Sequence, residues 1–457
     1  MSDPLSGVVA PAAAPRLHDL LTRLETTAAL DAPGLDLSRL DCSRAALETL
    51  AAHDARGTWR DSESGGLSLP RADLSRARLD ETDLGGANLR GARLTRAVGR
   101  SSKFAAAILE EADLSETDLS GADFTDIVGG QVQLGEAMLE DARFVRASMR
   151  FGNLQKALLD GADFTGADLW GTDFTGADAD DTVFRGARLD EAKLADTNLT
   201  QADFEGASLT KAVLAGSRLR GANFTGAKLD GADFTGADLS DTNLVRLNLA
   251  TCRLRHARFS GAWLNGTRMQ VEQLGGAVGE EVAGAFAAAQ ASYLALEQNW
   301  KSIGDQDAAS WAYKRGRRMG RHHAGAQARA AWAARDHRAL AKHGYRWIAD
   351  RFVEWLCDYG ESLSRIARAF ALLIVVFAAL FGLTGGLFIT DGPEAGPTYN
   401  PIDLMSYSAL NMMTANPPEI GLKPTGRVTN LLVGLEGAAG IILMGLFGFV
   451  LGNRLRR

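Results

Sequence analysis

The 457 residues predict a mixed fold: a stacked solenoid of four-sided coils, then an α-helical region ending in two apolar segments of spanning length. Three observations carry this. A large apolar residue recurs every five positions through the middle of the chain, phenylalanine recurs every twenty within that stretch, and the C-terminal apolar residues gather into two charge-poor runs.

Composition sets the outer bounds. Charged residues are 23% and hydrophobic ones 46%, which excludes a wholly disordered or collagenous chain. Glycine reaches 50 of 457 with only 11 prolines, an excess that suits a compact repetitive backbone better than linkers. The length allows roughly three domains at about 100–200 residues each. Lys+Arg of 49 against Asp+Glu of 56 gives −7, too mild to imply a nucleic-acid partner. Cys42, Cys252 and Cys357 are odd in number and far apart, which argues against a disulfide framework or a cysteine-rich zinc site.

From Leu69 to Leu274, 39 of the 42 positions spaced by five are Leu, Met or Phe, the exceptions being Gly99, Gly129 and Ala179. Two residues before each centre stands a small side chain, as at Ala162, Ala167, Thr172 and Ala177. A strict five fits neither the 3.6 of a helix nor the 2.0 of a strand. It signals a solenoid whose units bury their apolar side only by stacking. Phe104, Phe124, Phe144, Phe164, Phe184, Phe204 and Phe224 add the second period. Twenty residues make one coil, four five-residue sides make it square, and these rings form a column. Large and small positions both point inward. About ten coils at a β-like spacing of ~4.8 Å give a rod of about 50 Å.

This pattern resembles the pentapeptide-repeat family, whose consensus is A-(D/N)-L-x-x, and the match runs over residues 67–275 without a slip. The resemblance implies a right-handed quadrilateral β-helix and says little about function. Phe104 to Phe184 holds 17 acidic against 4 basic residues. Some members of the family mimic DNA, and an acidic rod suits that role. Against it, Asp also suits tight corners and a solvent face.

Residues 1–66 hold no apolar run long enough for a signal peptide. Leu17, Leu20, Leu21 and Leu24 share one face of a helical stretch, the pattern of an N-terminal cap on the solenoid. After Gly276 the period stops. Helices are expected over 286–303 and 305–345, split at Gly304-Asp305, with Trp300, Trp311, Tyr313 and Trp332 as packing residues. Ten Lys/Arg against one acid, Asp336, lie between Lys314 and Arg346. Lys314, Arg315, Arg317, Arg318 and Arg321 are the candidates for contact with anionic lipid or an anionic ligand. His322, His323, His337 and His343 share the stretch without the i, i+4 carboxylate pairing of a metal motif, so no metal site is assigned.

Ala369–Ile389 is 21 uncharged residues, long enough to cross about 30 Å of hydrocarbon, and Val428–Gly452 is a second such run, broken only by Glu436. Between them, Pro401–Met413 is helix-like but too short to span, and it ends in Thr414-Ala-Asn-Pro-Pro-Glu-Ile-Gly421. Irregular backbone at membrane depth is tolerated where it lines a water-filled cavity.

That order resembles the two-transmembrane pore-loop channels of the potassium-channel superfamily. The carriers are Ser406-Tyr-Ser408, Met413-Thr414, and Thr425-Gly-Arg427 opening a glycine-dotted inner helix, within roughly residues 366–457. Asn299-Trp-Lys-Ser-Ile-Gly-Asp305, Ala309-Ser-Trp-Ala-Tyr313 and Cys357-Asp-Tyr-Gly-Glu361 resemble bacterial proteins that join pentapeptide repeats to such a pore. The resemblance implies a homotetramer and a selectivity filter at Thr414, Ala415, Asn416, Pro417, Pro418 and Glu419. A potassium filter reads T-V-G-Y-G-D. Here its glycines are missing and two prolines fix φ near about −65°, so potassium selectivity does not carry over. Weak selectivity among cations is expected instead.

Asn411, Glu436, Gly440 and Gly445 are the candidates for pore support or gating. Glu436 either faces the pore or hydrogen-bonds the short helix, for example at Asn411. Gly440, Gly445 and Gly448 serve close packing or a bend. The expected layout is 1–66 cap, 67–275 β-helix, 276–350 basic helical linker and 351–457 pore module. Within the module, spans are expected at about 367–390 and 427–453, the pore helix at 402–413 and the filter at 414–421. Arg351, Arg365 and Arg368 before the first span, with Arg454, Arg456 and Arg457 after the second, place both termini and the rod in the cytoplasm of an inner-membrane protein. The expected partners are the lipid bilayer, permeating ions and a cytoplasmic protein or small molecule. The competing reading is a non-conducting membrane-anchored scaffold or DNA mimic. Neither enzyme chemistry nor a cofactor is expected, because no nucleophile–His–acid grouping or phosphate loop stands out.

Overall fold

A computed structural model describes residues 66–390, 396–414 and 421–455. The N-terminal cap expected over 1–66 lies, but for Gly66, outside the described residues. The chain divides into two compact units, Met1–Ala312 and Tyr313–Arg457.

The first unit is built on the β-helix. Single parallel bridges join residues twenty apart, from Ser68↔Asn88 to Asn248↔Arg268. The corners, apart from the one at Thr251, are β-turns whose third residue is left-handed. Gly166 has φ 67° and the Ala167 N–H donates to Phe164 O at 3.0 Å. One coil earlier Arg146, at φ 56°, closes the same turn. A non-glycine residue in that conformation costs roughly 1–2 kcal/mol. The ladder offsets it, since the Arg146 N–H donates to Thr165 O at 2.9 Å. This alternation explains the glycine excess. The aspartate of the repeat secures the corner from outside: Asp163 Oδ1 accepts from the Thr165 N–H at 2.9 Å and its hydroxyl at 2.5 Å.

Inside, the phenylalanine column forms as the period requires. Ring centroids from Phe104 to Phe224 stand 4.7–5.2 Å apart with planes within 8° of parallel. Phe174 meets Phe164 and Phe184 edge-on from another side. At Gly99 the exception to the five-residue rule is a packing solution. A Cβ at Gly99 would stand 3.1 Å from both Leu79 and Leu119, which already fill that space.

The rod's C-terminal end is closed by side chains that stand in for a further coil. Helix α1 (Gly279–Val282) buries Glu280, whose Oε1 accepts from the N–H groups of Phe259 and Ser260 at 3.0 Å and from Ser292 Oγ at 2.6 Å. Helix α2 (Phe286–Ser302) pairs Asn299 with both backbone groups of Thr267, at 3.0 and 2.9 Å. Trp300 Nε1 donates to Met269 O at 3.1 Å, and its ring packs on Trp311. The linker expected from residue 276 therefore begins as a cap, because bare backbone at a solenoid end must find partners.

Helix α3 (Gln306–Ala333) begins in the first unit and continues into the second. The single helix expected over 305–345 is two. Arg335 turns left-handed at φ 55°, and Asp336 caps α4 (His337–Cys357) by accepting from the N–H groups of Arg338 and Ala339. Trp332, expected to pack, is 73% exposed. Helix α5 (Leu363–Thr384) is capped by Ser362 and ended by left-handed Gly385. The span expected to reach residue 390 thus stops six residues early, and Leu387–Ile389 is strand β1. It lies between β2 (Gly396–Pro397) and β3 (Leu422–Pro424), antiparallel to both. Helix α6 (Pro401–Thr414) and helix α7 (Arg427–Leu455) complete the unit.

Candidate functional site

Helix α6 is 14 residues, about 21 Å at 1.5 Å per residue, too short to cross a bilayer. It packs against both longer helices. Tyr407 is buried edge-on to Phe381 of α5 at 5.6 Å. Ser408 Oγ donates to Ile374 O at 3.0 Å and also meets Glu436 Oε1. Asn411 Nδ2 donates to Glu436 Oε2 at 2.8 Å and to Val433 O at 3.1 Å. Glu436 is fully buried in this node. Of its two readings, the structure places it on α6 at Ser408 and Asn411.

The glycines separate by role. A Cβ at Gly440 would stand 2.0 Å from Met412 O, so this residue lets α7 reach the backbone at the end of α6. Gly445 and Gly448 face open space. Thr414 is the last residue of α6, its hydroxyl donating to Leu410 O at 2.7 Å. Ala415, Asn416, Pro417, Pro418 and Glu419 lie outside the described residues.

The basic stretch is drawn together differently from expectation. Arg317 pairs with Asp350 at 2.5 Å and Arg318 with Glu354 at 3.0 Å and Asp358 at 3.6 Å. Arg321 is buried against Glu354. Arg317 also covers the Tyr359 ring at 5.4 Å, and burial pushes the Tyr359 phenol above its ordinary range. Arg365, at the mouth of α5, donates to Glu354 O at 2.6 Å and lies 3.6 Å from Asp358. Contact with lipid is thereby corrected for Arg321, whose charge is spent inside the α3–α4 hairpin. Arg317 and Arg318 are half-buried in the same pairs, while Lys314 and Arg315 are half-buried beside them. Asp350, Glu354 and Asp358 were missed, although a spacing of four puts Asp350 and Glu354 on one face of α4, with Asp358 the left-handed residue that ends it.

On the rod, many acids are matched one coil away, as Asp126 is by Arg146 at 2.6 Å and Glu136 by Lys156 at 3.0 Å. Asp160, Asp180 and Asp181 instead bring their carboxylates together, within 4.8 Å of one another. Burial, then the neighbouring charges, holds Asp180 above the usual carboxylate range.

A family model described as pentapeptide repeats matches in eight copies, over residues 66–97, 100–127, 131–166, 162–206, 197–236 and 232–270. The chain carries a pentapeptide-repeat domain, followed by a helical region with two helices of spanning length and composition. Among solved structures it is similar to HetL, a pentapeptide repeat protein involved in heterocyst differentiation regulation from the cyanobacterium Nostoc sp.. That match has 27% identity and a TM-score of 0.36, covering 54% of this chain and 92% of HetL. QnrB1, a plasmid-mediated fluoroquinolone resistance protein, matches at 18% identity and TM-score 0.27, over 45% of this chain and 90% of its own. Rfr23, a pentapeptide repeat protein from the cyanobacterium Cyanothece, matches at 22% and 0.12, over 44% and 99%. No curated protein matches the chain.

Proposed function

We propose that the chain is one subunit of an oligomeric membrane ion channel, weakly selective for cations, with a cytoplasmic pentapeptide-repeat domain for regulation or partner binding. The observation that carries this reading is α6, a sub-spanning helix held between two span-length helices through the Ser408–Glu436–Asn411 node. A plain anchor needs no such helix and no buried carboxylate to fix it. Lipid or neighbouring copies would cover the apolar side chains that α5 and α7 leave exposed, among them Leu372, Val375, Leu431, Leu435 and Ile441.

One chain supplies two spans and one re-entrant segment, so a closed pore needs several copies, four by resemblance. Thr414, Asn416 and Glu419 would then ring a filter without stacked glycine carbonyls, passing ions partly hydrated. Four Glu419 carboxylates would favour cations over anions. The function is non-enzymatic, with both termini and the rod on the cytoplasmic side of an inner membrane.

Purified full-length protein in liposomes under a salt gradient tests this. Cation flux with weak Na⁺/K⁺ discrimination, and reduced cation preference in Glu419→Gln, are the expected results. Membrane-inserted protein without flux would leave the scaffold reading in its place.

A further inference from the structure

A cavity of about 470 Å³ opens between α3 and α4, lined by Arg321, His322, Arg329, Gly344, Trp347 and Arg351 among others. Among the described residues no carboxylate is in its lining. Of the three arginines in its lining, Arg321 is paired with Glu354, whereas Arg329 and Arg351 have no carboxylate partner among the described residues. Two guanidinium groups without a carboxylate partner on one cleft favour an anion there, and their planar forks match phosphate oxygens.

The two glycines of the cavity act differently. A Cβ at Gly325 would stand 3.0 Å from the Trp347 ring, so glycine there seats the indole. A Cβ at Gly344 would meet nothing within 4 Å. Glycine inside a helix is less stable than alanine, and no packing reason offsets that here. Its effect is to keep the cavity open beside Trp347, which is 43% exposed. The volume lies within the range of about 300–1,000 Å³ usual for small-molecule sites and far exceeds what inorganic phosphate fills.

We propose that this cleft binds an organic phosphate of mononucleotide size, its phosphate held by Arg329 and Arg351 and its flat apolar part lying on Trp347. The proposal does not depend on conduction. Calorimetric titration of the full chain in detergent, with adenosine monophosphate as probe, is the test. One saturable site per chain is expected, competed weakly by inorganic phosphate. Arg329→Ala and Arg351→Ala should each weaken binding at least tenfold, and Gly344→Leu should abolish it by filling the cleft. Gly344→Ala, which favours the helix, should weaken binding without loss of fold, and Arg338→Ala on the exposed side should leave it unchanged. Vesicles of phosphatidylcholine with and without phosphatidic acid form the second arm. Binding confined to phosphatidic acid and lost in the same arginine variants would assign the phosphate to a lipid headgroup. Absence of binding to every probe, or undiminished binding in the Arg329→Ala, Arg351→Ala double variant, would overturn the site.

Discussion

Removing one ring from the phenylalanine column tests the solenoid most directly. Phe164 is fully buried, 4.7 Å from Phe144, 5.2 Å from Phe184 and edge-on to Phe174 at 5.8 Å. Phe164→Ala leaves a void that its neighbours cannot fill, because the ladder fixes the spacing of the coils on either side. Full burial puts the loss at about 3–5 kcal/mol for Phe→Ala, toward the upper end since two stacked pairs go with it. At roughly 2–4 °C per kcal/mol for a unit of this size, melting should fall by about 6–20 °C. Coils contact only their neighbours, so hydrogen exchange should quicken first in residues 144–184. Val128→Asp is the matched control: Val128 is 44% exposed and lies between Ile108 and Ser148 on the outer face. Its melting temperature should change little. Equal losses in the two variants would refute the inward register of the large positions.

Burial raises the Glu280 carboxyl above its ordinary 4.5, so wild-type stability is fully present at low pH and declines as pH rises through the folded-state value. The melting temperature of wild type minus Glu280→Gln should therefore grow on going from pH 7 to pH 4.5; a flat difference would contradict it. Burial also lifts the Cys252 thiol to about 12 and raises Cys357. Mass-spectrometric mapping after maleimide treatment at pH 7.5 should find neither labelled until denaturant is added. Glu354→Ala strips a partner from Arg318 and from buried Arg321, which should cost about 3–5 kcal/mol and speed exchange in His337–Cys357. Unchanged exchange there would show the hairpin to be held by other contacts.

The rod was legible because a strict period leaves one register: the same spacing of five names the centre, the corner and the ladder residue at once. Gly99 and Gly129 broke the apolar rule yet kept the count. The cap was not legible. Glu280 and Asn299 mimic the backbone of an absent coil, and such substitution has no periodic signal. Two boundaries had signals that the apolar and basic runs outweighed, namely Asp336 as an N-cap and the Gly385-Gly386 pair as a helix stop. The basic stretch looked like a membrane-facing patch because its neutralising acids come from the next helix. The Asn411–Glu436 contact was anticipated as one of two choices, since a carboxylate in an apolar span needs a donor and the short helix holds Asn411. Ser408 was read only as part of a motif.

The ladder joining one residue of each five to the residue twenty positions on has a consequence for how such a chain can lengthen or shorten. Duplicating or deleting twenty residues adds or removes a whole storey, and every remaining residue keeps its facade and its upstairs neighbour. Five residues added or lost still place a left-handed corner at each bend. They bring every later residue a quarter-turn around the tower, dividing the phenylalanine stack between two walls. Height is thus free to drift in steps of twenty, while finer changes must be met by repacking the whole interior above them.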